Sequence, residues 1–149
     1  MASRGMLSVC YAPFDYIERA AKIVLVGITP GLLQANTALA AASSAMNSGA
    51  DLKNSLKIAK NTASFSGAMR KNLVAMLDSI ELAQLLAVQS SRELFENHST
   101  GVHFTSALRY PVFKSLKDYN GMPNMLGEQL LAKMVQTHLA REARISANF

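Results

Sequence analysis

At 149 residues, half of them apolar, with a net charge of +5 and a single cysteine, the chain is sized for one domain with a core of its own. No apolar run approaches the roughly 18 residues that a membrane span needs, and residues 1–5, with Arg4 their one charged side chain, lack the hydrophobic stretch of a signal peptide. The lone cysteine, Cys10, excludes an internal disulfide framework and a four-cysteine iron–sulfur cluster, and the expected residence is cytoplasmic.

Residues 1–19 mix aromatics with turn formers (Tyr11, Pro13, Phe14, Tyr16) and read as a lead-in that packs on a sheet edge, with 15–19 helical. Lys22–Gly27 comes next as a strand. Its Ile-Val-Leu-Val run is the pattern of a strand buried on both faces. The strand breaks at once into Gly27-Ile28-Thr29-Pro30-Gly31, where two glycines permit close backbone approach and Pro30 pushes Thr29 toward extended geometry. A strand, a tight Gly/Pro turn and a helix start together describe a ligand loop at the carboxyl edge of a parallel sheet. An ordinary strand-to-helix connection is equally compatible with these residue types.

The alanine-rich stretch Leu32–Asn47 reads as a helix closed by Gly49. Asp51 is a good N-cap for a second helix, with Leu52, Leu56 and Ala59 on one face. Residues 61–67 read as a loop, and a third helix begins near Ser66 with Met69, Leu73, Met76, Leu77 and Ile80 in one apolar stripe. Leu82–Val88 is open between a helix end and a short strand. Ser90 or Ser91 caps a short helix through Phe95, and 97–101 form a turn. Val102–Leu108 is the second clear strand. Residues 109–123, with Pro111, Gly121 and Pro123, read as a long loop, and Met125–Arg144 as a last helix with Leu126, Leu130, Met134 and Val135 inward. Two strands alternating with four or five helices are an α/β pattern.

Chemistry-bearing clusters are few. No His/Cys/Asp/Glu set has metal-ligand spacing, no phosphate loop of the Gly-x-x-x-x-Gly-Lys type is present, and no cofactor or metal is expected. His103, on a strand of alternating character, reads as a structural histidine; His138 reads as surface, and Cys10 as inert. Between Lys53 and Lys71 lie five basic residues and no acidic one (Lys53, Lys57, Lys60, Arg70, Lys71), which suits either an anionic partner or a solvated helix face.

Three stretches, in order, resemble the uracil-DNA glycosylase superfamily. Gly27-Ile28-Thr29-Pro30-Gly31 is similar to the Gly-x-x-Pro-Gly/Tyr loop that approaches the deoxyribose of a flipped nucleotide. Ser64-Phe65-Ser66-Gly67 is similar to a Pro-Phe-x-Gly segment whose Phe stacks on the extruded base. Phe104–Arg109 is similar to a strand whose end carries the residue that reads the base edge, here Ser106 where the family has Asn. Thr29 stands where many members have Asp or Asn to orient the attacking water, and none of His98, His103 and His138 is followed by the family's Pro-Ser.

The resemblance covers roughly residues 20–123 and implies a three-layer α/β/α fold with a parallel sheet, of which this chain looks like the amino-terminal part. It implies a DNA glycosylase-like protein of base repair that flips a uracil or modified base and hydrolyses, or formerly hydrolysed, its N-glycosidic bond. The other reading is a non-catalytic nucleic-acid- or protein-binding domain that keeps the base pocket. On this resemblance Thr29 is the catalytic position; Gly27, Ile28, Pro30, Gly31, Phe65 and Ser106 bind the substrate; Lys57, Lys60, Arg70, Lys71 and Arg109 hold DNA phosphates. DNA, single- or double-stranded, is the expected partner, and a sheet lacking its later strands is expected to self-associate through its open edge.

Overall fold

Leu32–Asn47 (α1) and Leu52–Ala63 (α2) show how local sequence becomes packing in this computed structural model, which describes residues 2–96, 99 and 101–146. Alanines at positions 35, 38 and 45 of α1 and 59 and 63 of α2 are buried, and all but Ala45 join Ala12 and Phe14 in a core of small side chains that lets the two helices lie close together. Asp51 caps α2 as its residue type suggests, its carboxylate accepting from the Asn54 N–H at 2.7 Å. Leu52, expected on the inner face, is exposed; Ser55 and Lys60 are buried instead.

Before these helices come Ala2–Arg4 (β1), Leu7–Val9 (β2) and Ile23–Gly27 (β3); after them Ala68–Ser79 (α3), Leu82–Leu85 (α4), a 3-10 turn at Ser91–Phe95, and Val102–Ser106 (β4). β3 and β4 form a parallel two-stranded sheet in the register Ile23 opposite Val102 and Gly27 opposite Ser106. The crossover between them carries four α-helices and the 3-10 turn. β4 is covered on both faces. Val102 and Phe104 join a core with Leu77, Leu82, Leu94 and Phe95, the Phe95 and Phe104 rings stacking at 4.7 Å. On the other face His103 meets Glu142 from the final helix.

Val112–Lys114 (β5) and Lys117–Asp118 (β6) complete a second sheet, antiparallel, in the order β1-β2-β5-β6. The molecule is therefore mixed α/β. The lead-in and the long loop expected at 1–19 and 109–123 are corrected here: parts of both are strands. Each strand is two or three residues long, too short for alternation to show, and each is fixed by its partner across the chain, Leu7 facing Lys114. One face of this sheet carries Leu7, Val9 and Val112 into a core with Leu108, Tyr119, Leu131 and Met134.

The last helix is also not uniform. It runs as Gln129–Met134 (α5), a π turn at Val135–Leu139, and Ala140–Ser146 (α6). The extra residue per turn in the π segment rotates the inward face of α6 relative to that of α5, and Glu142 becomes a buried residue. Leu126, expected inward, precedes the helix and is exposed. On α3 the expected stripe is buried at Leu77 and half-buried at Leu73, while Met69, Met76 and Ile80 face out. Ser90 caps the 3-10 turn, with Glu93 reaching back to its N–H. The turn expected at 97–101 and His98 lie largely outside the described residues.

Candidate functional site

The parallel register brings two sequence-distant loops to one edge. Gly27 and Ser106 are register partners at the carboxyl ends of β3 and β4, and the pairing runs on past them, Ala107 N–H to Gly27 O at 2.8 Å and Leu108 N–H to Ile28 O at 2.9 Å. A cavity of about 350 Å³ opens there. It is walled by Gly27, Ile28, Thr29, Pro30 and Gly31 from the β3–α1 loop, by Phe65 and Met69 from the entry to α3, and by Phe104 and Ser106. All seven residues expected at a nucleotide site from the sequence border this one space.

Phe65 is held there against its backbone preference. Its φ is +53°, a left-handed conformation that a bulky residue rarely adopts. The ring lies so close to β3 that a Cβ on Gly27 would be 3.5 Å from it and 3.4 Å from the Ser106 hydroxyl. Its other contact is edge-on with Phe104, centroids 6.1 Å apart. The clamp on this loop is Arg70. Its guanidinium donates to the carbonyls of Asn61 (2.9 Å), Thr62 (2.7 Å) and Ser64 (2.6 Å), and packs over the Phe95 ring at 4.6 Å. Arg70 thus satisfies the C-terminal carbonyls of α2, and burial lowers its pKa.

Thr29 borders the cavity, but its hydroxyl is committed elsewhere. It donates to Tyr110 O at 3.1 Å and accepts from the Val112 N–H at 3.2 Å, tying the β3–α1 loop to the start of β5. The carboxylate in the cavity wall comes instead from Asp118 of β6, a residue the sequence did not single out. Asp118 Oδ1 accepts from the Leu32 N–H at 2.9 Å, at the N-terminus of α1. It stands where a Cβ on Gly31 would go, so Gly31 is required for this approach. Gln34 accepts from the Gly31 N–H at 3.1 Å and donates to Ser66 O at 3.1 Å, joining the two loops.

The five basic residues expected to face phosphates do not form one outward surface. Lys60 is 2 % exposed, its ammonium donating to Tyr16 O at 2.6 Å, and burial lowers its pKa to about 8. Lys57 pairs with Glu18 at 3.2 Å. Arg109 donates from Nε and Nη2 to one oxygen of Glu142, Oε1, and lies 3.7 Å from Asp15. With Arg70 clamped as described, Lys71 alone of the five is exposed. Lys60 and Arg109 do border the cavity from its inner side.

Behind the cavity lies a buried charge cluster that no local pattern announces. His103 Nδ1 accepts from the Glu18 N–H at 3.4 Å, so the ring's proton sits on Nε2 and is donated to Glu142 at 2.9 Å. Burial lowers the His103 pKa and outweighs the pull of Glu142, keeping the ring neutral. For Glu142, burial pushes the carboxyl up, but the hydrogen bond from His103 and the charges of Lys60 and Arg109 more than reverse it, to about 2. The structural reading of His103 accords with this placement; His138 is half-buried, edge-on to Tyr110 at 5.1 Å.

Among the described residues, no group of three or more His, Cys, Asp or Glu is placed to hold a metal ion, and no helix is long and apolar enough to cross a membrane. The chain is 40% identical over 116 residues, 77% of its length, to the Bacillus subtilis (strain 168) protein named Uncharacterized protein YoxB. It spans about 45% of the length of that relative. No protein-family model matches the chain, and no solved structure does.

Proposed function

We propose that the cavity binds a nucleobase extruded from DNA, in a domain of uracil-DNA glycosylase type whose parallel pair belongs to a three-layer α/β/α arrangement. The observation that carries this reading is the convergence of Gly27–Gly31, Phe65 and Ser106 on one space, from three segments separated by more than thirty residues each. A cavity of about 350 Å³ suits a single planar heterocycle. Phe65 supplies the stacking face, Ser106 a hydroxyl for the base edge, and the Gly27 and Gly31 backbone the close approach to the sugar. Extruding the base costs a few kcal/mol, which stacking offsets in part at about 1–3 kcal/mol per base.

Binding is favoured over hydrolysis at Thr29, because the Thr29 hydroxyl is already bonded to Tyr110 and Val112. Any water in the cavity would meet the carboxylate of Asp118. The test is equilibrium binding to single-stranded oligonucleotides carrying one uracil. Phe65→Ala should lose about 1–3 kcal/mol of affinity while its salt dependence stays that of the parent. Unchanged affinity would overturn the reading. Release of uracil should be slow or absent, and rapid release by the unaltered protein would restore a catalytic role for the loop.

A further inference from the structure

Lys60 is a buried cation without a counter-ion of its own. It lies in the last turn of α2, 2 % exposed, and its ammonium makes one hydrogen bond, to the Tyr16 carbonyl at 2.6 Å. An ammonium carries more donors than that, and a buried lysine is ordinarily paired with a carboxylate. Among the described residues no carboxylate lies within ion-pair distance of Lys60, because the acids around it are held by other groups. Glu142 accepts from His103 on Oε2 and from Arg109 on Oε1. Asp15 accepts from Tyr110 on Oδ1 and from Tyr11 on Oδ2. With Glu142 offset by Arg109, Lys60 is the charge left over, and burial draws its pKa down to about 8.

Lys60 borders the cavity, and so does a second buried group that is short of a partner. Thr105 is 6 % exposed, and its hydroxyl completes no hydrogen bond among the described residues. Lys60 and Thr105 both help to hold the Glu142 carboxyl ionised, so they stand close to the same point behind the cavity. The body of the space is lined by the rings of Phe14, Phe65 and Phe104. A ring-lined cavity with an uncompensated cation and an unpartnered hydroxyl suits a small flat molecule that carries a negative group. One ammonium and one hydroxyl match the two oxygens of a carboxylate. A phosphate would turn its further oxygens onto the rings.

We propose that the cavity takes a free aromatic or heteroaromatic carboxylate, its ring against Phe65 and its carboxylate on the Lys60 ammonium and the Thr105 hydroxyl. This goes beyond the nucleobase reading: it uses the same space and needs no DNA.

The test is calorimetric titration with benzoate and with benzamide, which share a shape and differ in charge. At pH about 7 benzoate should bind at least roughly tenfold more tightly than benzamide. Its affinity should fall on the order of tenfold by pH about 9.5, as Lys60 loses its proton. Across that range His103 stays neutral, and Tyr16, Tyr110 and Tyr119 titrate above it. Lys60→Met removes the charge at similar volume, so its melting temperature should equal or exceed the parent's. It should bring benzoate down to the level of benzamide and abolish the pH dependence. Thr105→Val should weaken benzoate several-fold and leave benzamide unchanged; with the pH profile it decides the matter if Lys60→Met does not fold. Equal binding of the two compounds overturns the carboxylate site, as does benzoate affinity that is unchanged in folded Lys60→Met or across the pH range. No heat from either compound at millimolar concentration overturns it too. In each of these cases the base site stands or falls separately, with Phe65→Ala and the uracil oligonucleotide. Charge-dependent benzoate binding beside full oligonucleotide affinity in Phe65→Ala supports the carboxylate site and overturns the nucleobase.

Discussion

Phe65 and Arg70 show how one side chain's role is set by another's constraint. A phenylalanine at φ +53° persists only where its surroundings over-determine it, and here the fork of Arg70 on three carbonyls does so. Arg70→Ala should therefore weaken uracil-oligonucleotide binding as Phe65→Ala does, on the order of tenfold, although Arg70 touches no ligand. Arg70→Lys should not restore it, because lysine lacks the second donor, Nε, that also holds the Ser64 carbonyl and the planar group that packs over the Phe95 ring. Affinity restored by lysine would return Arg70 to the role of a phosphate-facing cation. Glu142 makes a second residue-scale case. Replacing it by Gln leaves Arg109 with Asp15 at 3.7 Å as its remaining carboxylate partner and should cost about 3 kcal/mol in a denaturant titration, the lower end for a broken buried pair.

At the scale of elements, the turn through Val135–Leu139 decides which face of α6 looks at β4, and that contact sets the pH response. His103 and Glu142 both have folded pKa values below their unfolded ones. The stability they contribute is thus fully present above the unfolded values and lost as pH falls. The melting temperature should begin to fall below pH about 6.5 through His103, and fall again from about 4.5 toward 2 through Glu142. Glu142→Gln should shrink the second limb, leaving the part that comes from Glu18 and Asp78, whose carboxyls are also held below their usual range by hydrogen bonds. A melting temperature flat from pH 7 to 3 would contradict this assignment. α2 offers a simpler test. Asp51→Ala removes its N-cap and should destabilise by about 1 kcal/mol with an unchanged denaturant slope.

For the whole molecule, two features govern association. β3 and β4 pair only with each other among the described residues, and Val26 (53 %) and Ile28 (48 %) are exposed beside that pair. An edge of this kind recruits another strand. Sedimentation should show association that rises with concentration, whereas a monomer with a sharp cooperative melt at every concentration would refute it. Charge is the second feature. Lys57, Lys60, Arg70 and Arg109 are bound internally, so on the proposed DNA-binding reading the phosphates would be left to Lys71, Lys114 and Lys117. Reversing Lys71 and Lys117 should weaken binding to all DNA sequences alike and flatten the salt dependence by about 0.9 per lost phosphate contact.

By itself the sequence determined whatever is set within a few residues of chain. The extent of α1, the Asp51 cap, the capped turn at 91–95 and the strand at β3 all rest on local propensity and periodicity, and all four are in place, although β3 is half-buried with Val26 exposed rather than buried on both faces as its apolar run suggested. The bounds of the loop at Gly27–Gly31 were legible for the same reason, since glycine and proline constrain their own backbone. Tertiary structure alone decided the rest. Lys57, Lys60, Arg70 and Arg109 read as an exposed basic set because sequence records charge but not the carbonyls and carboxylates that residues 16–18, the end of α2 and α6 bring to them. The four short strands of the antiparallel sheet have no period long enough to read and exist through their pairing. Asp118 entered the cavity wall, and Glu142 the buried cluster, only when β6 and α6 were docked against elements more than thirty residues away. Contacts of that separation depend on chain topology, and no local pattern encodes them.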